Sequence, residues 1–213
     1  METETARHLD DLDEGMGKLS NTITATAAAD DRQDFPYVTL DMFQIHASQA
    51  VDKGGVESVY YLPLVGEAEL AGYAEYAANN QGWIEQSRQL AAAYGGATVE
   101  PAAYLNSSVP PTVYSRRDVD DQGHATYVPT KASPALPIWQ MSPPPLDPAN
   151  SINFDMMNVG WMNSLSLALA MTNGAFSSRC SNFFVLRLLA YFCALAGWVA
   201  VLHFRLYCSS HAK

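Results

Sequence analysis

The side chains with the plainest capacity for acid–base, nucleophilic or metal chemistry are His46, His124, the aspartates at 118, 120 and 121, and three cysteines. Their spacing gives none of them a partner. An isolated histidine is usually solvated or structural. For His46 or His124 to do acid–base work, folding would have to bring a distant carboxylate within hydrogen-bond reach inside a pocket. A small soluble enzyme built on either histidine is the alternative reading. Asp118, Asp120 and Asp121 lack the distant glutamate of a calcium loop, so a solvated turn is expected there. Cys180, Cys193 and Cys208 all lie in the last 34 residues, which offers neither a Cys-x-x-Cys spacing nor a disulfide framework for the centre of the chain. No catalysis, metal or cofactor is expected from these groups.

The more informative residues are aromatic. Three blocks concentrate them beside proline and amide side chains: Phe35-Pro36-Tyr37-Val38-Thr39, Asn79-Asn80-Gln81-Gly82-Trp83-Ile84, and Pro137-Ile138-Trp139-Gln140 leading into Ser142-Pro143-Pro144-Pro145. Trp and Tyr carry an apolar face and a hydrogen-bonding tip, the combination that lines ligand pockets. Tyr60, Tyr61, Asn80, Trp83 and Trp139 are the candidate ligand-binding residues. The competing expectation is that the aromatics simply build the core of a small domain.

The elements that must position them can be read from pattern. Residues 1–34 are acidic and poor in large apolar groups, a lead that is helical or disordered. Asp41 caps a short helix that ends at Lys53-Gly54-Gly55. Residues 56–65 form the best strand, with Pro63 at an edge or strand end. Leu70, Tyr73, Ala74 and Ala77 share one helical face; Asn79-Asn80-Gln81-Gly82 breaks that helix, and a second starts at Trp83. Ten of the twelve prolines lie from Pro101 to Pro148, which excludes long helices. A hairpin with a charged tip at 116–123, a strand at 138–141 and a stiff polyproline exit at 143–145 are expected there. Residues 152–175 read as helical.

Charge and hydropathy divide the chain. The formal net charge is -10; nine of the 22 acidic residues precede Phe35 and none follows Asp155. This balance disfavours a nucleic-acid partner, whose phosphates need Lys and Arg. Residues 1–15 are polar and acidic, the opposite of a signal peptide. Residues 183–202 are apolar apart from Arg187, long enough as a helix to cross a bilayer core of about 30 Å. A membrane-spanning helix over 183–206 is expected, with a buried helix as its alternative. Asn106-Ser107-Ser108 is a glycosylation sequon of low specificity.

Across residues 35–155 the chain resembles the extracellular sensor region of diatom receptor-type nucleotide cyclases, itself similar in layout to CHASE-type sensory domains. The matching pieces are Phe35 to Thr39, Val59 to Val65 (V-Y-Y-L-P-L-V), Asn79 to Ile84, Pro110 to Tyr114 (P-P-T-V-Y) and Pro137 to Pro148. The resemblance implies a ligand-sensing domain outside the cell, tethered to a membrane and serving a cyclase domain inside it. No residues here correspond to a first membrane span or to the cyclase's metal-binding carboxylates. The expectation is therefore an α+β protein: an acidic lead at 1–34, one small CHASE-like sensor domain at 35–155, a helical connector at 156–182 and the apolar helix. Its function would be non-catalytic sensing of an unidentified small molecule, with the membrane as partner through residues 183–202. A homodimer is compatible with the sequence. A truncated gene product without function is a further reading of the tail.

Overall fold

Leu12, Met16, Leu19 and Ile23 recur at intervals of four, three and four, the spacing of one helical stripe, and all four are buried along α1 (Glu2–Ala29). The computed structural model describes residues 2–29, 35–54, 58–93, 103–159, 183–191 and 199–203. The α1 stripe belongs to the same core as Val38, Phe43, Leu62 and Trp139. Residues 2–29 of the acidic lead are thus helical and share that core. Asp10 and Glu14 are exposed on the helix's other side.

A tight turn at Asp41 and Met42 leads into α2 (Phe43–Gly54), which packs against α1 and buries Phe43 and Ala47. Strand β1 (Val59–Pro63) follows, ending at the proline that cannot extend the ladder. A 3₁₀ turn (Glu67–Glu69) and α3 (Leu70–Asn79) come next, and α4 (Gly82–Ala93) begins after the expected amide-rich break. The inward faces carry Tyr73, Ala74 and Ala77 on α3, and Trp83, Ile84, Ser87 and Ala91 on α4.

The proline-rich stretch makes short pieces. Strands β2 (Tyr114–Val119) and β3 (Ala125–Pro129) form a separate two-stranded ribbon. Most of the expected charged tip is strand: Arg117 pairs with Tyr127 and Asp118 with Thr126, and the turn itself is confined to 120–124, where Gly123 has φ 85°. Ribbon side chains facing water can be charged without losing the ladder, which is why charge alone misplaced the turn.

Strand β4 (Gln140–Ser142) is the regular end of a longer extended segment. Ala135 and Val65 exchange both backbone hydrogen bonds (2.9 and 3.0 Å), and the Trp139 N–H donates to the Tyr61 carbonyl (3.0 Å). On the other side, Asn153 N–H donates to the Ile138 carbonyl (2.9 Å) and Met156 N–H to the Leu136 carbonyl (3.0 Å). Pro134 and Pro137 have no N–H to give, so the segment is bonded on both sides without being a continuous strand. Asp147 caps α5 (Pro148–Ser151), accepting from Ala149 N–H at 3.1 Å.

Two expectations fail beyond α5. Residues 152–159 are not α-helical: Asn153 takes φ 63°, and only a 3₁₀ turn (Met156–Asn158) follows. Their backbone groups are committed to residues 136–138 and to Tyr114, which a helix would forbid. The remainder of the expected helix and connector, 160–182, lies outside the described residues. In the apolar tail the structure has strands, β5 (Phe183–Tyr191) and β6 (Val199–His203), where one helix was expected; 192–198 lie outside the described residues. A run apolar on every side carries no period that separates buried helix from buried strand. These strands complete an antiparallel sheet in the order β4-β1-β5-β6, with Tyr60 opposite Leu186 and Met141. Helices plus small antiparallel sheets make the protein α+β. No helix among the described residues is long and apolar enough to cross a membrane.

Candidate functional site

The three aromatic blocks, far apart in sequence, meet at one place. The Trp139 indole N–H donates to Thr39 Oγ1 (3.2 Å), and Thr39 Oγ1 lies 2.6 Å from the Tyr76 hydroxyl. Next to it, the Gln140 side chain grips the backbone of Leu40 from both ends: its Oε1 accepts from Leu40 N–H and its Nε2 donates to Leu40 C=O, each at 2.9 Å. Gln140 is fully buried, so the amide replaces a missing neighbouring strand for residue 40 and leaves neither backbone group unpaired. Trp83 completes the meeting, its ring edge-on to Trp139 with centroids 5.8 Å apart.

Around Trp139 the rings form a continuous packing. Tyr73 lies 6.3 Å from it edge-on, Tyr76 lies 5.9 Å away, and Tyr37 stacks edge-on against Tyr76 at 5.7 Å. Each such pair adds about 0.5–1.5 kcal/mol beyond area burial. Burial first, and then the phenol of Tyr76, pushes the Tyr61 hydroxyl well above its ordinary range; Tyr73 is raised by burial and then by Tyr61 and Tyr76. These phenols therefore stay neutral and have no acid–base role near neutrality.

Beside this centre is an open cleft of ≈ 450 Å³. It is formed where the end of α1 (Thr26), residues 39–41, the α3–α4 break (Asn79, Asn80, Gly82) and the first turns of α4 (Trp83, Gln86) come together. Of the five candidate residues, Asn80 and Trp83 line it. Asn80 is exposed and donates from Nδ2 to the Tyr76 carbonyl (2.8 Å). Trp83 is only 4% exposed, so it forms a wall. Tyr61 and Trp139 are fully buried and serve as core. Tyr60 points from the opposite face of β1 and takes a hydrogen bond from Ser58 Oγ (3.1 Å).

Residues outside the five candidates set the cleft's shape. Gln86 Oε1 accepts from the Met42 N–H (2.8 Å), and Met42 sits at φ 56°, a left-handed conformation rare for a residue with a side chain. Asp41, at the same turn, is exposed and is the only charged residue among the described residues of the lining. The distance from Met42 to Gln86 in sequence hid this pairing.

A second groove, of ≈ 510 Å³, runs between α3 (Leu70, Ala71, Ala74) and the base of the ribbon (Pro111, Val113, Pro129). It contains none of the candidate residues. His124 is bonded to Asp120 at the ribbon's turn (Nδ1 to Oδ2, 3.1 Å), with side chains 73% and 54% exposed, and His46 is half-buried on α2. Neither histidine lines either cleft. The Asp120 carboxylate also accepts the backbone N–H groups of His124 and Gln122, which holds it below the usual carboxylate range and identifies it as the cap of a turn. Among the described residues no group of His, Cys, Asp or Glu could hold a metal ion.

The buried carboxylate of Asp155 is structural. It accepts from Leu136 N–H (2.9 Å), Met157 N–H (3.0 Å), Asn158 Nδ2 (2.9 Å) and the Thr130 hydroxyl, tying the base of the ribbon to the segment carrying Trp139. No family model, curated protein or solved structure matches the chain.

Proposed function

We propose that this protein is a non-catalytic ligand-sensing domain of the CHASE-like kind found in receptor-type nucleotide cyclases, and that its ligand sits in the cleft lined by Asn80 and Trp83. The observation that carries this reading is the convergence of the three sequence blocks on a single centre whose open side is that cleft. Ordinary core packing accounts for Tyr61 and Trp139, but it does not require the polar rim of Thr39, Asp41, Asn80 and Gln86.

The route from ligand to output follows from the contacts. A molecule touching Gln86 or Asp41 bears on the Met42 turn, which Gln86 holds and from which α2 starts; α2 in turn packs along α1. A ligand that favours one setting of that turn shifts the packing of two helices by its differential affinity for the two settings. The test is thermal stabilisation of the full chain across a broad metabolite panel, with Gly82→Trp as the comparison. Gly82 lines the cleft, and a Cβ there would meet nothing within 4 Å, so a side chain can be added at the cleft's wall. Stabilisation of the wild type that is lost in Gly82→Trp supports the reading; no stabilisation by any compound overturns it.

A further inference from the structure

We infer that the cleft takes a small organic cation, a protonated amine carrying hydrogen-bond donors. The inference rests on the sensing reading and adds the ligand's chemical class. Asp41 places a full negative charge on the lining, and among the described residues no Lys or Arg contributes to it. The hydrogen bonds already made leave acceptors for such donors. Asn80 spends one Nδ2 hydrogen on the Tyr76 carbonyl, which leaves Oδ1 and one N–H. Thr26 spends its hydroxyl proton on the Thr22 carbonyl, which leaves its lone pairs. Gln86 gives one Oε1 lone pair to the Met42 N–H and keeps the other beside both Nε2 hydrogens.

The opposing feature is the start of α4 at Gly82 and Trp83, whose helix dipole favours anions. That dipole amounts to roughly half a positive charge, against the whole charge of the Asp41 carboxylate, so the net preference is for a cation. A volume of ≈ 450 Å³ falls in the range that encloses a metabolite-sized molecule.

Agmatine, tyramine and histamine, each beside its N-acetylated counterpart at the amine, and a matched set of carboxylates, would be titrated calorimetrically against the full chain at low and moderate salt. The expected result is that at least one amine binds, that its acetylated form binds at least fivefold more weakly, and that affinity falls as salt rises. Asp41→Asn should cost about fivefold and Asp41→Glu much less. Binding of carboxylates or of the acetylated compounds in preference to amines, with Gly82→Trp abolishing it, would overturn the cation inference and leave the sensing reading standing. Amine binding indifferent to Asp41→Asn would overturn it too. Binding of no compound of any class would remove the sensing reading itself.

Discussion

Replacing Gln140 by Leu tests the link between the first and third aromatic blocks. The two side chains have similar volume, and the site is fully buried, so packing is nearly conserved while both hydrogen bonds to Leu40 vanish. Leu40 is itself 3% exposed, which leaves its N–H and C=O buried without partners. Each orphaned group costs about 1–3 kcal/mol, and the easier burial of an apolar side chain returns part of that, for a net loss of about 3 kcal/mol. For a chain of this length the midpoint of thermal unfolding should fall by about 6–12 °C. Urea unfolding of both proteins, with the slope unchanged, gives the free energy directly. Amide exchange gives a second reading: the Leu40 N–H should be protected in the wild type and should exchange quickly in the variant. Gln140→Glu keeps the acceptor but sets a carboxylate against the Leu40 carbonyl, so it should cost at least as much. A loss below about 1 kcal/mol in Gln140→Leu, with Leu40 still protected, would refute the argument that this side chain substitutes for a strand.

Asp155→Asn replaces an acceptor of four hydrogen bonds by a group that must donate on one side; a loss of about 3 kcal/mol is expected in the same urea assay. Met42→Gly should leave stability unchanged or raise it by up to about 1 kcal/mol because glycine accepts the left-handed turn, whereas Met42→Val should destabilise by about 1–2 kcal/mol. In alkali the sign follows from raised phenols: Tyr61, Tyr73 and Tyr114 hold protons in the folded state that the unfolded chain releases near pH 10, so their contribution to stability is constant below that pH and is lost as it is exceeded. Ultraviolet titration should show these three ionising only with unfolding.

Much of the fold's local grammar was readable because it is set by local chemistry. The break at Asn79 to Gly82, the strand through Tyr60 and Tyr61, and the stop of α2 at Gly54 all follow from residues that a helix or strand excludes. What could not be read was set by distant partners. The α1 stripe of Leu12, Met16, Leu19 and Ile23 was present in the spacing but masked by the surrounding acids. The extended course of residues 152–156 depends on backbone groups at 136, 138 and 114, and no local signal announces it. The apolar tail has no period to choose strand over helix. In the candidate site, sequence could not separate the two candidates that are core, Tyr61 and Trp139, from the two that line the cleft, Asn80 and Trp83. Burial is a property of the assembled core, and Asp41 and Gln86 came into view only with it.

The most direct measurement is a nuclear magnetic resonance titration of the full chain with whichever compound stabilises it, following backbone amides and the four indole N–H signals. The account predicts saturable shifts at Asp41, Met42, Asn80, Gln86 and the Trp83 indole, continuing into α2. Shifts confined instead to Leu70, Ala74, Val113 and Thr130 would place the ligand in the groove beside the ribbon and contradict it.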